Sequence, residues 1–209
     1  MKRVLIFLLL SELAASCSPL APLPPRNKFF MLSPISDTAG TNASVPLAQQ
    51  ISIGIGPIDF PDYLRRPEVV TRTAANRIDV SQQDRWAGPL DKNFTRVLLG
   101  NIATILKTQR VESYPWSRTM PVDYQLVVDV ERFDTGTDKQ AKLNARWSIR
   151  DGHDGKVLYA TETFDSAPVG PGEEGPSAAL SSTLASLSQE IASQVTLLNQ
   201  QRPHAGSSS

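Results

Sequence analysis

Apolar residues recur along the chain with two periods, and each period predicts a different element. Between Gln50 and Ile58, Ile51, Ile53 and Ile55 alternate with Ser52, Gly54 and Gly56. A period of two built on β-branched residues predicts a strand with one face in the core. The side chains missing at Gly54 and Gly56 leave room for another backbone to come close. Tyr124, Leu126, Val128 and Val130 alternate with Gln125, Asp129 and Glu131, and Leu143, Ala145, Trp147 and Ile149 with Lys142, Asn144, Arg146 and Arg150. After the turn cluster Asp151–Gly155, Val157 to Phe164 returns as a third strand. Short connections make these three an antiparallel meander. Shorter strands are predicted at Phe29–Leu32, stopped by Pro34, and at Glu68–Thr73 and Arg77–Val80, with Ala74–Asn76 as the turn between the last two. The stretch from Pro34 to about Ala48 is polar and loop-like, and Pro61–Pro67 reads as a loop or a single turn.

Two stretches switch to helical spacing. Leu90, Phe94, Val97, Leu98, Ile102, Ile105 and Leu106 form one stripe, with Pro89 suited to a first helical position and Asp91 complementing the helix dipole. Leu180, Leu184, Leu187, Ile191, Val195 and Leu198 form a second, after a Gly- and Pro-rich loop from Pro168 to Pro176. Each helix has one apolar stripe and so serves one buried face. The predicted fold is α+β: a single domain with a largely antiparallel sheet of short strands and two amphipathic helices packed on one face. The other face of such a sheet can stay exposed.

The start of the chain follows neither period. Lys2 and Arg3 precede the apolar run Val4–Leu10, which is shorter than the about 20 residues that span a bilayer and has the length of a secretory signal. Leu13-Ala14-Ala15-Ser16-Cys17 then resembles a bacterial lipobox, in which the cysteine thiol receives a lipid and becomes the mature N-terminus. The other reading is an ordinary cleavage site that leaves a free thiol. Cys17 is the only cysteine, so it has no intramolecular disulfide partner, and lipidation gives it a purpose. Several acyl chains, at ~0.8 kcal/mol per buried CH₂, anchor a protein stably where one does not. Ser18 stands where an Asp would favour retention in the inner membrane, which makes the outer membrane the default and the body periplasmic. Pro19, Pro22, Pro24 and Pro25 make the next stretch a spacer that reaches roughly 30 Å at ~3.1 Å per residue. The predicted organisation is a signal peptide over 1–16, a lipidated Cys and Pro-rich tether over 17–27, a folded domain over 28–200 and a disordered tail over 201–209.

Charge narrows the function classes. The chain has 21 basic and 21 acidic residues, and losing Lys2, Arg3 and Glu12 with the signal leaves a net charge of about −1. A nucleic-acid binder would show a basic face or stripe, so none is expected as partner. The catalytic inventory is thin. His153 lies in a turn and His204 in the tail, so no metal-ligand pair is spaced correctly and no metal or cofactor is predicted. Glu173-Glu174 lies in a loop as solvated surface, and no nucleophile elbow or phosphate loop is present. Gly54-Ile55-Gly56 runs into Pro57 rather than into a helix, which excludes a nucleotide fingerprint. Trp86 is placed to pack on the first turn of the first helix. Pro61, Tyr63, Leu64, Arg65, Arg66 and Pro67 gather aromatic and arginine side chains, which are enriched at protein interfaces, on one short segment. They are the candidate contact site for a partner or a second copy; the alternative is a solvated loop whose Tyr63 folds back on the core.

Longer strings carry a resemblance. Ile53-Gly54-Ile55-Gly56-Pro57-Ile58, then Pro61-x-Tyr63-Leu64-x-Arg66-Pro67-x-Val69-Val70-Thr71-Arg72, then Asn76-x-Ile78 and Arg85-Trp86-Ala87-Gly88-Pro89-Leu90 are similar to the ABC-type transport auxiliary lipoproteins of the paraquat-inducible protein C type. Phe29-Phe30-Met31-Leu32-Ser33-Pro34 resembles the opening aromatic strand of that family, and the likeness runs from about Lys28 to Leu198. It implies a non-enzymatic lipoprotein on the periplasmic face of the outer membrane, auxiliary to an MCE/ABC-type system that moves lipid between membranes. The implied partners are an MCE-domain protein and a membrane permease, with self-association into a ring. Two rival readings remain open: a periplasmic lipid carrier outside any fixed assembly, which requires a continuous apolar pocket, and an envelope lipoprotein with a purely structural role. A periplasmic hydrolase is disfavoured because nucleophile and base are lacking.

Overall fold

The computed structural model describes residues 26–36, 51–116 and 121–202. The predicted signal peptide, Cys17, nearly all of the predicted tether, His204 and most of the predicted tail lie outside the described residues. The described elements are β1 (Lys28–Phe30), β2 (Ile53–Asp59), β3 (Glu68–Ala74), β4 (Arg77–Trp86), α1 (Leu90–Leu106), β5 (Val111–Ser113), β6 (Tyr124–Gly136), β7 (Gln140–Asp151), β8 (Val157–Pro168) and α2 (Gly175–Gln201). The single α+β domain and the two helices follow the two periods in the sequence.

The sheet is built around β6. On one side β7 and then β8 pair antiparallel along their length, giving the meander that the alternation predicts. On the other side two strands share one edge in succession. β2 runs parallel to the first half of β6, from Ile53 opposite Tyr124 to Asp59 opposite Asp129. β3 runs parallel to its end, with Thr71 and Arg72 opposite Thr135 and Gly136. The chain from Ile53 to Ala74 is therefore one long run beside β6, broken only at Pro61–Pro67. β4 pairs antiparallel with β3, and β1 and β5 close the edges in parallel with β4 and β2. The eight-stranded sheet is thus mixed. Its parallel pairs join segments far apart in sequence, and alternation within a strand carries no record of strand direction.

Both helices pack on the sheet and on each other, α1 against β2 and β5 and α2 against β6, β7 and β8. Leu90, Phe94, Val97, Leu98, Ile102 and Leu106 from the first stripe and Leu180, Leu184, Leu187, Ile191 and Val195 from the second are all buried. Each such side chain contributes about 1.5–3 kcal/mol relative to exposure. A register shift between Val130 and Arg132 lets Val130 and Phe133, three positions apart, both enter the core. Phe94 meets Phe60 and Phe133 edge-on, with centroids 5.0 and 5.2 Å away, so three rings tie the end of β2, α1 and β6 together.

The gaps at Gly54 and Gly56 are filled by side chains, where the sequence reading expects a backbone. A Cβ on Gly54 would stand 2.7 Å from the Trp116 ring, and one on Gly56 2.7 Å from Tyr114 Cβ. Gly56 also has φ +124°, a region that side chains strain to adopt. β5, which leads into this aromatic pair, has only Val111 buried and is too short to show a period.

Candidate functional site

The break between β2 and β3 is a single 3-10 turn, Asp62–Leu64, closed by the Leu64 amide donating to the Pro61 carbonyl at 3.0 Å and the Arg65 amide to the Asp62 carbonyl at 3.0 Å. Two of its candidate interface residues turn inward. Leu64 is part of the core. Tyr63 is half-buried, and its hydroxyl donates to Asp134 Oδ2 at 3.1 Å while Arg72 sits 5.5 Å from its ring centroid. Asp134 has no exposed side-chain surface, and it accepts from Arg72 through Nη2 at 3.0 Å and Nε at 3.1 Å and from Arg132 Nε at 2.8 Å. Burial pushes the Tyr63 phenol above its ordinary pKa, and the Asp134 charge adds to that shift, so Tyr63 is held as a donor.

Three residues of the segment stay outside. Arg65 lies back along the turn, with Nη2 2.6 Å from Asp59 Oδ1 and Nε 3.1 Å from the Phe60 carbonyl. Arg66 and Pro67 are exposed. Among the described residues the Arg66 side chain makes no hydrogen bond or ion pair; its charge only helps Arg85 to hold the Glu68 carboxyl below its ordinary pKa, the Arg85 hydrogen bond being the larger cause.

Arg65, Arg66 and Pro67 form one wall of a groove of about 340 Å³. The other wall is Trp86, Gly88, Pro89, Leu90 and Asp91. The walls are fixed to each other by the Trp86 amide, which donates to the Pro67 carbonyl at 2.7 Å, and by Arg85 on Glu68 at 2.6 Å. Pro61–Arg72 and Arg85–Leu90, separate strings in the sequence, therefore meet in one place: a mostly apolar lining that also carries the Arg65 and Arg66 guanidinium groups and the Asp91 carboxylate. Trp86 is buried at the end of β4, one step before the first turn of α1. Gly88 to Asp91 escaped the sequence reading as site residues because only the β3–β4 pairing brings them to Pro67. Asp134 escaped it because a lone Asp at the end of a strand resembles surface.

His153 is exposed in the β7–β8 turn, where its amide donates to Asp151 Oδ1 at 2.8 Å. Among the described residues no group of three or more His, Cys, Asp or Glu is arranged to hold a metal ion, and no helix is long and apolar enough to cross a membrane.

Residues 30–192 match the model of the family described as ABC-type transport auxiliary lipoprotein component. The chain belongs to this family. The match takes in both walls of the groove. As a family member it is a membrane-associated lipoprotein auxiliary to a transport system, and the family is not one of enzymes. The chain is similar to the intermembrane transport lipoprotein PqiC of Escherichia coli (strain K12), 24% identical over 132 residues that cover 63% of this chain and 67% of that one. The fold is shared with protein XCC0632 from Xanthomonas campestris, at a TM-score of 0.67 and 14% identity over 83% of this chain and 98% of that one. A second crystal structure, of a protein described only as uncharacterized, matches at a TM-score of 0.66 and 19% identity over 81% and 99%.

Proposed function

We propose that the chain is anchored through a lipid on Cys17 to the periplasmic face of the outer membrane and serves an MCE/ABC-type system that moves lipid between membranes. An MCE-domain protein and a membrane permease are its partners, and the copies associate into a ring. The observation that carries this reading is the family match over residues 30–192, together with the likeness to an intermembrane transport lipoprotein. Pro61, Tyr63, Leu64, Arg65, Arg66 and Pro67 act together, with Tyr63 and Leu64 shaping the turn and Arg65, Arg66 and Pro67 presenting the contact to the partner or to the next copy. The groove supports that division of labour, since its lining is mostly apolar and the Arg66 side chain on it makes no ion pair among the described residues. Both helix stripes are used up in the core, so among the described residues no apolar helix face is left over for a lipid carrier.

The test is the solution mass of the mature chain without its lipid, alone and mixed with the periplasmic part of a genomically neighbouring MCE protein. Wild type forms a discrete oligomer that binds the partner, and Arg66→Glu weakens one of the two associations by at least about tenfold, as loss of a central interface arginine does. A stable monomer that ignores the partner and carries bound lipid would move the reading to a carrier. Labelled palmitate incorporated by wild type and not by Cys17→Ser tests the anchor separately.

A further inference from the structure

We propose that Phe29, Met31, Lys92 and Arg96 form a membrane-docking face that rests on the anionic headgroups of the bilayer to which the chain is tethered. The inference rests on the Cys17 anchor of the reading above and adds an orientation to it. Only Ser18–Pro25 separates Cys17 from the first described residue, Arg26, and at ~3.1 Å per residue a polyproline stretch of that length spans roughly 25 Å. The face that follows the tether is thus kept close to the bilayer. It carries two large apolar side chains turned to solvent, Phe29 at 65% and Met31 at 54% exposure. Phe30 between them packs against the core, so the strand divides its side chains between the domain and the outside.

Cations stand beside Met31. Lys92 and Arg96 lie one turn apart on the exposed side of α1. Among the described residues neither side chain makes an ion pair or a hydrogen bond, whereas nearby Lys28 is taken up by Glu173 and Arg85 by Glu68. Met31 and Phe30 face Lys92 and Arg96 across a groove of about 240 Å³ whose lining includes no acidic residue. The chain as a whole is balanced in charge, so these cations are a local feature. Apolar side chains at headgroup depth with lysine and arginine beside them are the pattern of an interfacial anchor, and cations near an anionic leaflet are drawn to it at short range. The Gly88–Pro89 ridge separates this groove from the one lined by Arg66, so the partner site opens next to the membrane.

Vesicle co-sedimentation of the mature chain carrying Cys17→Ser, with its melting temperature compared with that of the unsubstituted chain, tests the proposal without an acyl chain to mask it. The chain is expected to sediment with vesicles in which part of the phosphatidylcholine is replaced by phosphatidylglycerol, less so at high salt, and not with phosphatidylcholine alone. Lys92→Glu with Arg96→Glu, and separately Phe29→Ser with Met31→Ser, should each weaken binding about tenfold or more at an unchanged melting temperature. No binding to anionic vesicles, equal binding to neutral ones, or variants that bind like the parent would each overturn the proposal. Palmitate labelling of Cys17 would still report on the anchor, so the two failures are separable.

Discussion

Asp134 is a carboxylate without exposed surface, held by two guanidinium groups and a phenol. Burying a charge costs several kcal/mol unless its lone pairs are satisfied, and here Arg72, Arg132 and Tyr63 between them occupy both oxygens. Asp134→Ala leaves two half-buried cations facing each other and should cost about 3 kcal/mol in denaturant unfolding, the lower end for a broken buried pair because both arginines retain some solvent. Tyr63→Phe removes one donor from a carboxylate that keeps its other partners, and should cost about 1 kcal/mol. Arg66→Ala should stay within about 0.5 kcal/mol, as surface substitutions do. If Arg66→Ala destabilised as much as Tyr63→Phe, the division of the turn into shaping and contacting residues would be wrong. The same contrast explains why Arg66 is the clean probe of partner binding: a change at Tyr63 or Leu64 alters the turn before it alters any contact.

At the scale of elements, α1 does more than fill the core. Asn93 Oδ1 accepts from the Leu32 amide at 2.6 Å, and two turns later Asn101 Oδ1 accepts from the Ile35 amide at 2.9 Å while its Nδ2 donates to Ser188 Oγ on α2 at 3.1 Å. The segment after β1 is thereby clipped along α1, which also seats Leu32 in the core. Asn93→Ala or Asn101→Ala leaves an amide unpaired beside the core and should cost about 1–3 kcal/mol, with hydrogen exchange rising at Leu32 or Ile35 and not in β7. The far end of α2 is fixed by charge. Arg202 bonds Asp151 at 2.7 Å and lies over the Tyr124 ring, 4.5 Å from its centroid. The His153 amide, then Arg202, hold the Asp151 carboxyl below its ordinary pKa. A depressed carboxylate binds fewer protons when folded than when unfolded, so the stability it gives is present above about pH 4 and lost as pH falls through the folded value. Between pH 5 and 3 the melting temperature should drop less steeply for Arg202→Met than for wild type; equal slopes would mean that the ion pair contributes nothing. These links mark the limit of what the sequence shows. Period two and period 3.6 disclose the meander, both helices and the inward faces, because burial is written into every second or fourth residue. The parallel partners of β6, the residue filling Gly54 and the meeting of Pro67 with Trp86 depend on contacts between distant segments, and an asparagine that clips a backbone looks like any surface amide. The arginine–tyrosine turn was legible as a place of interest, with Tyr63 folding back on the core as the alternative, and Leu64 was not legible as core.

The whole molecule has one spine. β6 is hydrogen-bonded to β2 and β3 on one side and to β7 on the other, and Phe94 joins the end of β2 to β6 through the Phe60 and Phe133 rings. Neither the β1–β3–β4 part nor the β7–β8 part can leave without exposing the core that the helices share. Unfolding should therefore be a single transition, as is usual for a domain of this size. Two tryptophans report on opposite sides of the spine: Trp86 closes β4 beside the groove, and Trp147 in β7 donates to Thr163 Oγ1 at 2.9 Å and packs on Tyr159. Urea curves of the Trp86→Phe and Trp147→Phe variants, each also carrying Trp116→Phe and each followed by fluorescence and by far-ultraviolet circular dichroism, should give coincident midpoints within each variant. Coincidence means that the groove and the membrane-docking face are held in fixed relation, so a partner seated at Arg66 meets the bilayer at a set distance. Midpoints that separate would make the β1–β3–β4 part a unit of its own, hinged at Pro61–Pro67, and the groove would then be able to open when a partner enters.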